Sequence, residues 1–142
     1  MATLLIVDDD NNIRETLRDL LGDTHECHTA DRAEQALAYL ELETYDVVLT
    51  DIAMPGLTGH DILRRIQQEH FTTPVIVISG NSEDEAAKEL LSMGAFAFIA
   101  KPFKLESVET AVVRAIARNQ ELTEAARKSR ESDIAEPTNS AS

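Results

Sequence analysis

Short apolar runs alternate with amphipathic stretches along most of the chain. The runs LLIV, VVL and VIVI are continuously apolar, which is typical of strands buried on both faces of a parallel sheet. The more polar run ECHTA indicates a strand at the edge of that sheet. The predicted strands are 4–7, 26–30, 46–50, 74–79 and 95–100.

A helical pattern follows each predicted strand, because apolar residues recur there every three or four positions and form one inward face. Five strand–helix units predict an α/β fold, a doubly wound parallel sheet with right-handed connections. The inward-facing residues are, helix by helix, Ile13, Leu17, Leu20 and Leu21; Ala33, Ala36, Leu37 and Leu40; Ile62, Leu63 and Ile66; Ala86, Ala87, Leu90 and Leu91; and Leu105, Val108, Val112 and Ile116.

Polar residues at the predicted helix starts indicate caps. Asn11 or Asn12 is expected to cap the first helix, since a side-chain oxygen there can accept a bond from a free main-chain amide. Two later pairs resemble capping boxes, Thr58 with Asp61 and Ser82 with Glu85.

The periodic pattern weakens after residue 118. Residues 119–130 are expected to extend the last helix, whereas 131–142 have a polar composition typical of disorder. The predicted organisation is therefore one domain over 3–118, followed by a helical extension and tail over 119–142.

The composition argues against several classes of function. The 26 acidic residues outnumber the 13 basic ones and give a net charge of −13, which argues against direct binding to nucleic acids or anionic membranes. Cys27 is the only cysteine, so neither an internal disulfide nor a cysteine-based metal site is expected. The first strand begins at once and no apolar run approaches the length of a membrane span, so the expected location is cytoplasmic.

Chemically active side chains follow four of the five predicted strands. Asp8 and Asp9 follow the first strand, Asp51 the third, Ser79 closes the fourth, and Lys101 follows the fifth. Each alone is an ordinary turn or loop residue. Since the carboxyl ends of parallel strands meet at one edge of the sheet, the set together indicates a single site.

The chemistry of this set suits the acceptance of a phosphoryl group. Carboxylate oxygens are the ligands that Mg²⁺ prefers, and Asp51 can act as a nucleophile that forms an aspartyl phosphate. Lys101 and Ser79 would contact the oxygens of the transferred group.

Four motifs in this order closely resemble the receiver (REC) domain of bacterial two-component response regulators: IVDDD (6–10), DIAMPGLTG (51–59), VISG (77–80) and KPF (101–103). The resemblance covers about residues 3–118 and implies a flavodoxin-like (βα)5 fold with strand order 2-1-3-4-5. It implies that Asp51 is the phosphoacceptor. It also implies that Mg²⁺ is bound by Asp8, Asp9, Asp51 and the backbone carbonyl of Ala53.

The resemblance also implies a switch. Lys101 matches the lysine that contacts the phosphoryl group, Ser79 the switch hydroxyl and Phe98 the switch aromatic, with a plain core phenylalanine as the alternative for Phe98. Asp10 is expected to start the first helix rather than to bind metal. Phosphorylation is expected to remodel the surface formed by the fourth helix, fifth strand and fifth helix.

Partners follow from the same resemblance. The phosphoryl donor would be a histidine kinase, a phosphotransfer protein or a small donor such as acetyl phosphate, and the output would be a downstream protein or a homodimer formed on phosphorylation. The domain would signal rather than act as an enzyme, with at most self-phosphorylation and autodephosphorylation. A stand-alone receiver is favoured over a piece of a longer transcriptional or enzymatic regulator, because residues 119–142 are too few for an output domain.

Two other function classes stay open. An aspartyl-phosphate-forming phosphatase normally has a second acid two residues after its nucleophile, where this chain has Ala53. A flavodoxin-type nucleotide binder would have a Ser-, Thr- or Gly-rich loop after the first strand, where this chain has three aspartates.

Overall fold

In the computed structural model, which describes residues 2–51, 59–69, 72–79 and 84–140, five parallel strands form one sheet in the order β2-β1-β3-β4-β5. This confirms the predicted flavodoxin-like fold and strand order. The strands are β1 (Thr3–Val7), β2 (Glu26–Ala30), β3 (Val47–Asp51), β4 (Val75–Ser79) and β5 (Ala97–Ala100). The helices are α1 (Asn11–Leu21), α2 (Ala33–Leu42), α3 (Gly59–Glu69), α4 (Asp84–Ser92) and α5 (Leu105–Ser140).

The sheet separates two apolar cores. Leu5 and Val7 of β1 lie in the core under α2, α3 and α4, whereas Leu4 and Ile6 lie in the core under α1 and α5. All four are buried. The continuous apolar runs are explained by this arrangement, because successive side chains point to opposite faces and both faces are covered.

The bounds of four strands differ from the prediction by one or two residues. β3 runs one residue further, so that Asp51 pairs with Ile78 inside the ladder. β5 begins at Ala97 rather than at residue 95, because the Ala95 amide donates to the Leu90 carbonyl at 3.0 Å and thereby closes the end of α4.

The cap of α1 also differs. Neither Asn11 nor Asn12 caps the helix; the cap is Asp10, whose side chain accepts a hydrogen bond of 2.8 Å from the Asn12 amide. The expectation that Asp10 starts the helix is confirmed. Both predicted capping boxes, at Thr58 and Ser82, lie outside the described residues.

α5 is docked on the sheet through its N-terminal half. Val108, Val112 and Ala115 are buried against the core, and the buried Asn119 side chain donates to the Thr72 carbonyl at 2.9 Å. The helix continues beyond the predicted extension over 119–130 as far as Ser140, into the segment whose polar composition predicted disorder. The division of the chain between 118 and 119 stays a prediction. Among the described residues, no helix is long and apolar enough to span a membrane.

Gly94, which follows α4, has a φ of 108°, a conformation that residues with side chains rarely adopt. We expect Gly94→Ala to lower the free energy of unfolding by about 1–3 kcal/mol, measured by urea denaturation. An added Cβ would also collide with the Gln67 side chain. The same substitution in a Gln67→Ala background removes that collision, and the loss that remains measures the backbone cost. Equal stability of Gln67→Ala with and without Gly94→Ala would show that the backbone explanation is wrong.

Candidate functional site

The predicted side chains meet at the carboxyl ends of four neighbouring strands. Asp8 follows β1, Asp51 ends β3, Ser79 ends β4, and Lys101 follows β5. These strands are adjacent in the order β1-β3-β4-β5, so the fold itself brings together residues that are far apart in the chain.

Lys101 bridges two buried carboxylates. Its Nζ donates to Asp8 Oδ2 at 2.8 Å and to Asp51 Oδ2 at 3.4 Å. Asp8 is only 2% exposed and Asp51 8% exposed. The ammonium of Lys101 gives both carboxylates a counter-charge, and an uncompensated charge in such surroundings would be costly.

The surroundings favour the charged form of Lys101. Burial lowers its pKa, but the hydrogen bond that Lys101 donates to Asp8 and the charges of Asp51 and Asp8 outweigh burial, so the pKa is raised above the ordinary 10.5. The side chain is consequently a permanent ammonium at neutral pH.

Three carboxylates converge beside this ammonium. Asp8, Asp9 and Asp51 each offer an oxygen, and the three oxygens lie within 4.8 Å of one another. Oxygens that share one Mg²⁺ at about 2.1 Å are about 3–4 Å apart, so small movements or a bridging water would complete the contact. Three carboxylates and one ammonium leave two negative charges, which a divalent cation would neutralise. The donor set therefore fits Mg²⁺. Ala53, the fourth predicted ligand, lies outside the described residues.

Ser79 and Lys101 are connected through the main chain. The Lys101 amide donates to the Ser79 carbonyl at 2.7 Å, which extends the β4–β5 ladder by one bond. Ser79 is buried and lies one residue beyond Ile78, the partner of Asp51. The Lys101–Pro102 peptide bond is cis.

Phe98 lies in the middle of β5, paired with Val77, and is half-buried against the core under α2, α3 and α4. Both of its predicted roles, a switch aromatic and an ordinary core side chain, are compatible with this position. Its role in switching stays a prediction.

The contacts that two further residues make at the site were not predicted from the sequence. Arg14 of α1 donates from Nη1 to the Asp8 carbonyl at 2.6 Å and from Nη2 to Asn11 Oδ1 at 3.0 Å. The Thr50 hydroxyl donates to the Asp51 carbonyl at 3.0 Å. The signal for Arg14 is a basic residue one turn into the helix that follows an acidic loop.

A family model described as the response regulator receiver domain matches residues 4–113. The DNA-binding transcriptional regulator NtrC of Salmonella typhimurium is 40% identical over 117 residues, which are 82% of this chain and 25% of that protein. The response regulator protein PilR of Pseudomonas aeruginosa is 38% identical over 126 residues, 85% of this chain and 28% of that protein. The chain thus spans about a quarter of the length of these curated relatives.

Solved structures give the same result. A response regulator receiver domain protein from Clostridium thermocellum superposes with a TM-score of 0.81 at 32% identity, covering 86% of this chain and 99% of that one. NtrX from Brucella abortus superposes with a TM-score of 0.82 at 34% identity, covering 89% of this chain and 29% of that one.

Proposed function

The chain belongs to the response regulator receiver domain family, and we propose that it is a phosphorylation switch that accepts a phosphoryl group on Asp51. The observation that carries the proposal is the ammonium of Lys101 held between Asp8 and Asp51, with the Asp9 carboxylate alongside. Family membership favours this function over the phosphatase and the nucleotide binder.

Asp51 is the best placed of the three carboxylates to attack. Both oxygens of Asp8 are engaged, Oδ1 by the Asp10 amide at 2.9 Å and Oδ2 by Lys101 at 2.8 Å. Asp9 lies on an exposed loop. Asp51 has the longer contact to Lys101, 3.4 Å, so the ammonium can turn toward an incoming phosphoryl oxygen at little cost.

In the proposed reaction, a carboxylate oxygen of Asp51 attacks the phosphorus of a phosphohistidine on a histidine kinase or phosphotransfer protein. The new O–P bond forms as the P–N bond breaks, and the imidazole leaves with the bonding electron pair and takes up a proton. Lys101 offsets negative charge on one phosphoryl oxygen, and Ser79 donates a hydrogen bond to another. Acetyl phosphate would react in the same way, with acetate as the leaving group.

Asp8, Asp9, Asp51 and the Ala53 carbonyl would hold Mg²⁺. When bound, the ion supplies positive charge that allows a phosphoryl group to approach three carboxylates. The ion is not consumed, and the chain itself provides the nucleophile, the ammonium and the hydroxyl.

The proposed output is a change of the surface formed by α4, β5 and α5. Ser79 and Lys101 would move together toward the phosphoryl group, because a main-chain hydrogen bond joins them. Phe98 would then turn into the space that Ser79 leaves. The changed surface would bind a downstream protein, an output domain of a longer regulator or a second copy of this chain, all in the cytoplasm. The greater length of the curated relatives supports the longer regulator.

The test is incubation with acetyl phosphate and Mg²⁺, followed by intact-mass measurement. We expect the wild-type chain to gain one phosphoryl group and Asp51→Asn to gain none. Asp10→Asn is the matched control, since Asp10 caps α1 in the same loop, and it should still be phosphorylated. An unmodified wild-type chain, or equal modification of Asp51→Asn, would contradict the proposal. Turnover of a generic phosphate ester would favour the phosphatase.

A further inference from the structure

The guanidinium of Arg14 spans the loop that carries the acidic pair. It donates to the Asp8 carbonyl at 2.6 Å on one side and to Asn11 Oδ1 at 3.0 Å on the other, so its two contacts bracket Asp9 and Asp10. Arg14 is itself half-buried on the first turn of α1.

The two acids of the loop are held very differently. Asp8 is fixed through every polar group: its amide donates to the Ala30 carbonyl, its carbonyl accepts from Arg14, and its carboxylate accepts from Asp10 and Lys101. For the exposed Asp9 carboxylate, no hydrogen bond or ion pair exists within the described part of the chain. Its position is therefore set by the main chain between Asp8 and Asn11.

We propose that Arg14 is a positioning residue of the phosphoryl-accepting site, which holds the 8–11 loop so that the Asp9 carboxylate lies beside Asp8 and Asp51 for cation binding. The inference rests on the proposed function, because it assigns the acidic cluster to a divalent cation. Residues that orient metal ligands from outside the coordination sphere typically change metal affinity about 10- to 100-fold when they are removed.

Arg14 could act as a nearby positive charge or as a positioning residue, and these two roles predict opposite changes in cation affinity when its charge is removed. If Arg14 acted only as a nearby positive charge, neutralising it would make the acidic cluster more negative and cation binding tighter. If it positions the loop, neutralising it would make binding weaker. The sign of the change in affinity therefore separates the two roles.

The experiment measures Mn²⁺ binding to the metal-free protein from the loss of the free-ion electron paramagnetic resonance signal, with Mg²⁺ as competitor. We expect Arg14→Gln to raise the dissociation constant about tenfold. Arg14→Lys should weaken binding similarly, because an ammonium keeps the charge but lacks the planar fork that reaches two acceptors.

Arg18 provides the matched control, since it lies one turn further along α1 and carries the same charge. Arg18→Gln should leave the dissociation constant unchanged or slightly lower. A second readout needs no metal: amide hydrogen exchange of residues 9–12 should be faster in Arg14→Gln than in Arg18→Gln.

Affinity of Arg14→Gln equal to or higher than that of the wild type would overturn the assignment, as would wild-type affinity in Arg14→Lys. If Arg14→Gln does not fold, the test uses the Mn²⁺ affinity of Arg14→Lys and the amide hydrogen exchange of residues 9–12 in that variant. Failure of the wild-type chain to bind Mn²⁺ would overturn the proposed function together with this inference, whereas a failure confined to the Arg14 variants leaves the function intact.

Discussion

Lys101→Met should lose most of its phosphorylation and part of its stability. The substitution removes the ammonium that contacts Asp8 at 2.8 Å and Asp51 at 3.4 Å. The rate of phosphorylation by acetyl phosphate should fall about 100-fold or more, since loss of one preorganised charge-stabilising donor typically has an effect of this size. Intact-mass time courses at saturating Mg²⁺ measure the rate.

Stability should fall because two buried carboxylates are left without their counter-charge. Breaking a buried ion pair costs about 3–5 kcal/mol, but the Lys101 side chain is 18% exposed and water screens part of the repulsion, so we expect about 1–3 kcal/mol. Urea denaturation in EDTA measures this loss. Mg²⁺ should restore more stability to the variant than it adds to the wild type.

Lys104→Met is the control, because Lys104 is an exposed lysine three residues further along the chain. Lys104→Met should keep the wild-type rate of phosphorylation and the wild-type free energy of unfolding. Wild-type phosphorylation and stability in Lys101→Met would contradict the bridging role.

The stability difference also has a defined pH range. The folded-state pKa of Lys101 is raised, so the stability due to its charge is fully present below the unfolded value of 10.5 and is lost as pH rises through the folded pKa. The gap between wild type and Lys101→Met should therefore stay constant from neutral pH to about pH 9 and close only in strong alkali.

The second large effect is expected for Asp9→Asn. This variant should bind metal more weakly than the wild type and should be more stable than the wild type in metal-free solution. Loss of one of three converging carboxylates should raise the Mn²⁺ dissociation constant at least as much as loss of a residue that only orients a ligand, which is about 10- to 100-fold. In metal-free solution the variant should be more stable than the wild type by about 0.5–1 kcal/mol, because it relieves repulsion between like charges at an exposed position.

The two effects are measured by electron paramagnetic resonance of free Mn²⁺ and by urea denaturation in EDTA. Asp23→Asn serves as the control: Asp23 lies between α1 and β2, at the opposite end of the sheet from the site, and its removal should change neither quantity. A less stable metal-free Asp9→Asn would show that the acidic cluster is not under electrostatic strain.

The sequence predicted the features that depend on pattern. Continuous apolar runs identified the inner strands because both faces of the sheet are covered, and Asp8, Asp51 and Lys101 were found because parallel strands deliver their carboxyl ends to one edge. Asp8 and Lys101 are 93 positions apart, and strand order alone brings them together.

The features that were not predicted depend on which of several similar hydrogen-bond partners a group contacts. Asp10, Asn11 and Asn12 can all cap a helix, and Asp10 is the cap because the helix already begins at Asn11. The Arg14 side chain can reach forward along α1 or back over the loop, and no periodic pattern encodes that direction. The start of β5 was set by the Ala95 amide, which bonds the end of α4 instead of the sheet.

Because α5 is long, a small tilt of this helix displaces its far end by several ångströms. The helix runs from Leu105 to Ser140, and among its residues up to 129, for which burial is described, Asn119 is the last buried one. At a rise of 1.5 Å per residue, the part beyond Asn119 is about 30 Å long, so a tilt of about 5° around that residue displaces the far end by about 3 Å. A slight change in how α5 rests on the sheet is thereby converted into a movement as large as a side-chain contact distance.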